Sequence, residues 1–320
     1  SSYTKMSIVT VKLRSSAIKG FSEELTSFSV SRIYEKVALR SKLPLSQVKL
    51  SVLGADGKHK PADIDATLNE YFDAQSLSGE VVLYAKDMGP QIAWRTVFLL
   101  ECLGPILIHS LVHFTLAHVF GVAQSETQKL ALWLAVLHFV KREYETLFVH
   151  RFSNSTMPLF NLFKNSGHYW ILSGVNLAIF TYSYSPASLK AAGPLASFLF
   201  HVNSLPQPVN YALVLLWAFA EVSNFITHLK LAGIRAKDKK AYAIPYGYGF
   251  DWVVCPNYFF ESLSWLAYAL LVGNWSAWLF LVVSSSQMYV WALTKNKRYL
   301  TTFGDKYKKL RRAKYIPFVV

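Results

Sequence analysis

Between Ile92 and Leu293 the chain runs through apolar segments long enough to cross a bilayer, so it cannot fold as one water-exposed domain. On a criterion of roughly 20 residues per crossing, spans fall at about 92–120, 128–149, 168–185, 209–230, 257–272 and 275–294. Pro256 marks the helical start of the fifth span. The stretch 191–202 reads as a re-entrant or interfacial piece. Residues 1–87 differ in kind, with 10 acids and 12 bases around short alternating runs. The expected division is therefore a soluble domain, 1–87, and a membrane domain, 88–320.

Charge placement orients the spans. The net charge of +14 would suit a nucleic-acid partner, but nine of the bases lie in 295–320 against Asp305 alone. A basic tail directly after an apolar span fits a cytosolic membrane boundary instead. The connection after the second span carries Arg151 and Lys164, and that after the fourth carries Arg235, Lys237, Lys239 and Lys240. The alternate connections 121–127 and 273–274 hold no Lys or Arg, and 186–208 has only Lys190. Six spans with both termini cytosolic satisfy every connection. No signal-peptide pattern opens the sequence, so the first span would act as its own signal anchor.

In the soluble part, residues 6–14 alternate as a strand and 29–40 carry Val30, Ile33, Val37 and Ala38 at helical spacing. Pro44 closes that helix, 48–53 resumes alternation, 54–57 turns, and 80–84 ends the region as a strand. This order resembles the ubiquitin-like β-grasp fold. It presents no evident active site.

The membrane part carries the chemistry. Glu101 sits in the middle of the first span, where an unpaired charge costs several kcal/mol, so a functional role is its default reading. Gln91, Trp94, Phe98 and Glu101 fall on one helical stripe. A purely structural alternative pairs Glu101 with a buried base such as Arg142. On the second span His138, Lys141, Arg142 and Glu145 crowd the cytosolic end, either as an interfacial belt or as a site for phosphates. Glu221, Asn224 and His228 share a face of the fourth span, and Asn257, Tyr258 and Glu261 follow Pro256 within about a turn. Gln287 and Lys295 extend the polar series into the sixth. His109, His113 and His118 do not combine with suitable carboxylates, so no metal is expected. There is no phosphate-binding or dinucleotide glycine motif and no nucleophile elbow. Cys102 and Cys255 read as packing residues, and the sequons at Asn154 and Asn274 as unused.

Longer motifs make a family visible. Gly89-Pro90-Gln91-Ile92-Ala93-Trp94-Arg95 and Glu101-Cys102-Leu103-Gly104-Pro105 resemble the opening of very-long-chain trans-2-enoyl-CoA reductases. So do Lys141-Arg142, Glu145-Thr146-Leu147-Phe148-Val149-His150, Thr156-Met157-Pro158 and Asn161-Leu162-Phe163-Lys164-Asn165. Pro256-Asn257-Tyr258, Gln287-Met288-Tyr289-Val290-Trp291-Ala292 and Ile316-Pro317-Phe318 complete the series, and the resemblance has a fungal cast.

That family lies within the wider steroid 5α-reductase group. The resemblance implies a multi-pass endoplasmic-reticulum enzyme that uses NADPH for the last step of fatty-acid elongation, serving very-long-chain and sphingolipid metabolism, with other elongation enzymes as partners. It implies hydride addition to the β-carbon of a trans-2-enoyl-CoA, with Tyr258 and Glu101, hydrogen-bonded together, stabilising the enolate. The tyrosine that steroid-type enzymes place on the second span falls at Phe139, which favours an enoyl thioester over a steroid. By the same resemblance Asn224, His228, Arg235, Tyr242, Asn257, Glu261, Tyr299 and Arg312 occupy cofactor positions. Lys141, Arg142, Lys164 and Asn165 are further cofactor or CoA contacts. Two rivals share parts of this pattern: a steroid- or polyprenol-type reductase, and a non-catalytic membrane adaptor working through the ubiquitin-like domain.

Overall fold

The computed structural model describes residues 7–152, 155–237 and 242–319; the sequon at Asn154 and the bases Lys239 and Lys240 lie outside them. The chain divides into two compact units: Ser1–Ala93 with Thr156–Asn161, and Trp94–Ser155 with Leu162–Val320.

In the first unit, β1 (Ile8–Leu13), β2 (Phe21–Glu24), β3 (Val48–Leu53), β4 (His59–Pro61) and β5 (Glu80–Asp87) form a mixed sheet in the order β2-β1-β5-β3-β4. β1 and β5 are parallel, pairing Ile8 with Glu80 and Leu13 with Ala85, while the other neighbours are antiparallel. Helix α1 (Val30–Ser41) lays Val30, Ile33, Tyr34, Val37 and Ala38 into the core, at the helical spacing seen in the sequence. Against them pack Val9 and Val11, Leu50, and Val81 and Leu83, alternate residues of the three central strands. β2 and β4 were not foreseen; β2 is short and mixed in polarity, and β4 contains Pro61 at the sheet edge. The four-residue α2 (Ala74–Leu77) is capped by Asp73, whose Oδ1 accepts from the Ser76 amide at 2.7 Å. A separate two-stranded ladder joins β6 (Gln91–Ala93) to β7 (Thr156–Pro158). Gln91 is thus in a strand, so the helical stripe of aromatic and acidic residues begins at Trp94 rather than Gln91.

The second unit is helical. Its helices are α3 (Trp94–His118), α4 (Glu126–Tyr144), α5 (Phe160–Gly167), α6 (Leu177–Tyr182), α7 (Pro186–Ala191), α8 (Pro194–Leu199), α9 (Gln207–Lys237), α10 (Pro256–Val272), α11 (Trp275–Phe303) and α12 (Asp305–Lys308). Two π-helical turns, Glu145–Val149 and His168–Asn176, follow α4 and α5 directly. Helical structure occupies all six expected windows, but among the described residues only α3, α9 (over Gln207–Ala236) and α11 are long and apolar enough to cross a bilayer. α4 ends in a charged turn, the 168–182 stretch changes helical type, and α10 has 17 residues. The 191–202 region contains α8 and then extended chain anchored by Asn203, whose amide donates to Val272 O at 2.8 Å. Asn274 is fully buried and donates through Nδ2 to Phe180, Leu199 and His201 carbonyls, so this sequon's amide is already committed.

Candidate active site

Local chemistry fixes where Glu101 lies. Pro105 has no N–H, so the Glu101 carbonyl loses its partner four residues on. Gly104 gives Trp170 its place: a Cβ there would lie 2.1 Å from the indole nitrogen, which donates to Leu100 O at 2.7 Å. The carboxyl of Glu101 is 2% exposed, and its Oε1 has no hydrogen-bond partner among the described residues. Its polar neighbours are the Asn165 amide and the Arg142 guanidinium.

Beside it, α4, α9 and α10 build a buried ion network. His138 Nδ1 lies 2.6 Å from Glu221 Oε1, and its Nε2 lies 3.2 Å from Glu261 Oε1. A ring with a carboxylate oxygen at each nitrogen satisfies both only when each carries a proton. Lys141 Nζ donates to Glu221 Oε2 at 3.0 Å and to Asn224 Oδ1, and lies 3.5 Å from Glu145 Oε1. Arg142 Nη1 donates to Glu145 Oε2 at 3.2 Å, and His228 Nδ1 contacts Glu145 Oε1 at 2.9 Å. Three carboxylates thus face Lys141, Arg142 and a doubly protonated His138, so the cluster is charge-balanced, the condition under which buried ions persist. Asn224 Nδ2 donates to Asn257 O at 2.8 Å, locking α9 to the first turn of α10. The π-turn at 145–149, a rare geometry frequent at functional sites, keeps the Glu145 side chain fully buried.

Arg142 forms its ion pair with Glu145, and no ion pair between it and Glu101 is present among the described residues. The expected hydrogen bond between Tyr258 and Glu101 is also absent among the described residues. The Tyr258 ring packs on Trp291, with centroids 6.1 Å apart.

A second cluster lies at the loop and tail. Tyr242 stacks on Tyr299 and Phe303 at 5.3 and 5.8 Å, with Arg298 over its ring at 4.1 Å. Burial pushes the Tyr242 phenol above its ordinary value and the Tyr307 phenol up to about 12. Arg312 lies 4.9 Å over Tyr246, and burial holds its guanidinium below the usual range. Arg235 donates to Arg151 O, and Lys164 is exposed, without a hydrogen bond or ion pair among the described residues. The sequence-predicted cofactor residues thus fall into an inner group (Lys141, Arg142, Asn165, Asn224, His228, Asn257, Glu261) and an outer one (Tyr242, Tyr299, Arg312), while Arg235 and Lys164 make no hydrogen bond or ion pair to either among the described residues. Glu145, Glu221, His138 and His150 complete the inner site without having been assigned to it. The first three share polar helix faces legible in the sequence; His150 had no such signal.

Glu145, His150 and His228 place three ligand-type atoms within 4.8 Å of one another, the geometry of a cation site. Lys141 and Arg142 already compensate that carboxylate, so a dication there would meet two fixed positive charges. The trio reads as the end of the ion network.

Long apolar helices around a buried, charge-balanced polar cluster define a membrane protein with polar chemistry in its interior. Residues 155–320 match the family model described as 3-oxo-5-alpha-steroid 4-dehydrogenase. A Schizosaccharomyces pombe protein, provisionally named an enoyl reductase, is 43% identical over 296 residues, covering 91% of each chain. The "Very-long-chain enoyl-CoA reductase" of Dictyostelium discoideum is 33% identical over 317 residues, 98% of this chain and 99% of that one. The chain belongs to the steroid 5α-reductase family, among its enoyl-CoA reductases, and is an oxidoreductase.

Proposed function

We propose that this chain reduces the 2,3-double bond of very-long-chain trans-2-enoyl-CoA with NADPH, the last step of fatty-acid elongation, in the endoplasmic-reticulum membrane. The observation that carries the reading is Glu101, a carboxyl buried inside an apolar helix with one oxygen unpartnered among the described residues. The relatives' names support the substrate class. Phe139 is buried against Trp265 and Tyr169, so α4 offers no phenol there for a steroid-type carbonyl clamp.

The residues present fit a nicotinamide dinucleotide. Asn257 Oδ1, Tyr242 Oη and the Nε and Nη1 of Arg312 are buried polar atoms without partners among the described residues. They complement a carboxamide, a ribose and a phosphate. Lys141, Arg142, Lys164, Asn165, Asn224, His228, Arg235, Tyr242, Asn257, Glu261, Tyr299 and Arg312 are the residues assigned to hold it. NADPH, when bound, supplies the hydride for the β-carbon. Tyr258 donates through Oη to the thioester oxygen as negative charge develops there, Glu101 supports that donor, and a proton delivered to the α-carbon, from Tyr258 or from water that reprotonates it, collapses the enolate to the saturated thioester. Donors aimed at charge that appears only in the transition state accelerate the step. The apolar helices hold the acyl chain while the basic cytosolic side holds the CoA end. In this reading the chain makes six crossings with both termini cytosolic, residues 1–87 form a ubiquitin-like cytosolic domain and 88–320 the catalytic one. The β2-β1-β5-β3-β4 order with α1 across one face supports the ubiquitin-like assignment.

The test is NADPH oxidation by purified protein in detergent, with a long trans-2-enoyl-CoA and, separately, a 3-oxo-Δ4 steroid. Turnover is expected with the first only. Tyr258→Phe and Glu101→Ala should each lower kcat by about 10²–10³, the usual effect of losing one transition-state donor. Near-normal turnover in either variant rejects the assigned pair.

A further inference from the structure

Away from the ion network, the 247–252 loop and the C-terminal segment enclose a hollow of about 340 Å³, within the size range of small-molecule pockets. Backbone pairing builds it: Val254 N donates to Ala313 O, and Ala313 N to Trp252 O, both at 2.9 Å. Gly249, at φ +83°, lets the loop close against Pro256, where a Cβ would lie 2.8 Å from the proline ring. Tyr315 hydrogen-bonds Ser262 and so ties the tail to α10, the helix that carries Tyr258.

The lining is cationic and aromatic. Arg311 and Lys314 supply two positive charges beside Arg312, whose buried nitrogens are assigned to the cofactor above, and Trp252 and Phe318, 57% and 84% exposed, hold their rings 6.1 Å apart. Arg311 and Phe318 are held at positive φ, 49° and 63°, an uncommon conformation for such residues and one that clusters at ligand sites. Asp251 is the one acid in the wall; its Oδ1 accepts from the Gly247 amide at 2.9 Å, leaving the other oxygen for a ligand donor. Phosphate for the bases, a flat π-face for the aromatics and an exocyclic amine for the carboxylate together describe a phosphorylated adenosine.

We propose that this hollow binds the 3′-phosphoadenosine end of the acyl-CoA substrate. The inference rests on the enoyl-CoA reading above and assigns a second end to the same substrate. NADPH carries a similar group, but the buried orphan atoms of Asn257, Tyr242 and Arg312 are assigned to it, whereas Arg311, Lys314, Trp252 and Phe318 face the water-exposed side of the hollow. Trp252 and Tyr258 are six Cα–Cα steps apart, at most about 21 Å of chain, which CoA's phosphopantetheine arm can bridge.

The experiment titrates the full-length chain in detergent with adenosine 3′,5′-bisphosphate, the CoA end, and adenosine 2′,5′-bisphosphate, the NADPH end. Trp252→Ala and the double variant Arg311→Glu/Lys314→Glu alter exposed or half-exposed side chains. Each is expected to weaken the 3′,5′ compound about tenfold or more and the 2′,5′ compound less than about twofold. Equal or greater weakening of the 2′,5′ compound overturns the assignment in favour of the cofactor. Unchanged 3′,5′ affinity overturns it too; if adsorption to anionic vesicles then falls, the patch is a lipid contact. Because binding is read without turnover, a protein that holds the 3′,5′ compound here but reduces no enoyl-CoA refutes the reductase reading and leaves the site standing.

Discussion

Gly104 stands one turn beyond Glu101, and nothing in the sequence says why it has no side chain. The answer is Trp170, seventy positions from the Leu100 carbonyl it serves. The carboxylate was legible because a charge inside an apolar run contradicts its surroundings; the indole was not, because a tryptophan in such a run contradicts nothing. Gly104→Ala should therefore damage turnover more than its size suggests, since the new methyl overlaps Trp170 and overpacking costs about 1–3 kcal/mol. The expected outcome is a fall in kcat of about tenfold or more, with the KM for NADPH little changed. Removing the indole as well relieves the clash, so Gly104→Ala/Trp170→Ala should be less impaired than the two single losses multiplied. Strict multiplicativity in measured kcat would mean that the two residues act separately.

At the scale of elements, the polar faces of α4, α9 and α10 were readable from three- and four-residue spacing, but their pairings were not. His138 and Lys141 meet Glu221 across more than seventy positions of chain, and no local pattern encodes which carboxylate faces which base. The π-turn after α4 is equally invisible, because the change from α to π hydrogen bonding leaves composition unaltered. The pairing predicts a stability effect. Glu221→Gln keeps the shape but leaves Lys141 and His138 facing a neutral amide. Breaking a buried ion pair on one side costs about 3–5 kcal/mol, so the melting temperature in detergent should drop clearly, and Lys141→Met on that background should recover part of it. A Glu221→Gln protein that melts with the wild type would show the network to be ornamental for stability. The trio of Glu145, His150 and His228 gives a further check. If it belongs to the ion network, prolonged chelation leaves reductase turnover unchanged; loss of activity that zinc restores would make it a metal site.

For the whole molecule, three of the six expected crossings are carried by single helices long and apolar enough among the described residues, and the other three windows hold helices that are interrupted or short. Charges at the end of α4 and the π-turn at 168–176 are such breaks, while α3, α9 and α11 have the uninterrupted apolar length. The compact units part at the start of α3, where mixed charge gives way to hydrocarbon over a few residues. Each unit has cores of its own: Val9, Leu50, Leu68 and Leu83 belong to one made only of first-unit residues, while Phe139, Trp265, Tyr268 and Phe280 belong to another in the helices. Separate cores imply separable stabilities. Leu83→Ala removes a fully buried side chain from the centre of the sheet and should destabilise that unit by about 2–5 kcal/mol. Limited proteolysis should then cut first within residues 7–87, while the purified full-length variant still oxidises NADPH with a long enoyl-CoA at close to the wild-type rate. If turnover instead falls in step with loss of the sheet unit, the chemistry depends on that unit's fold, and the helical part cannot be treated as the complete catalyst.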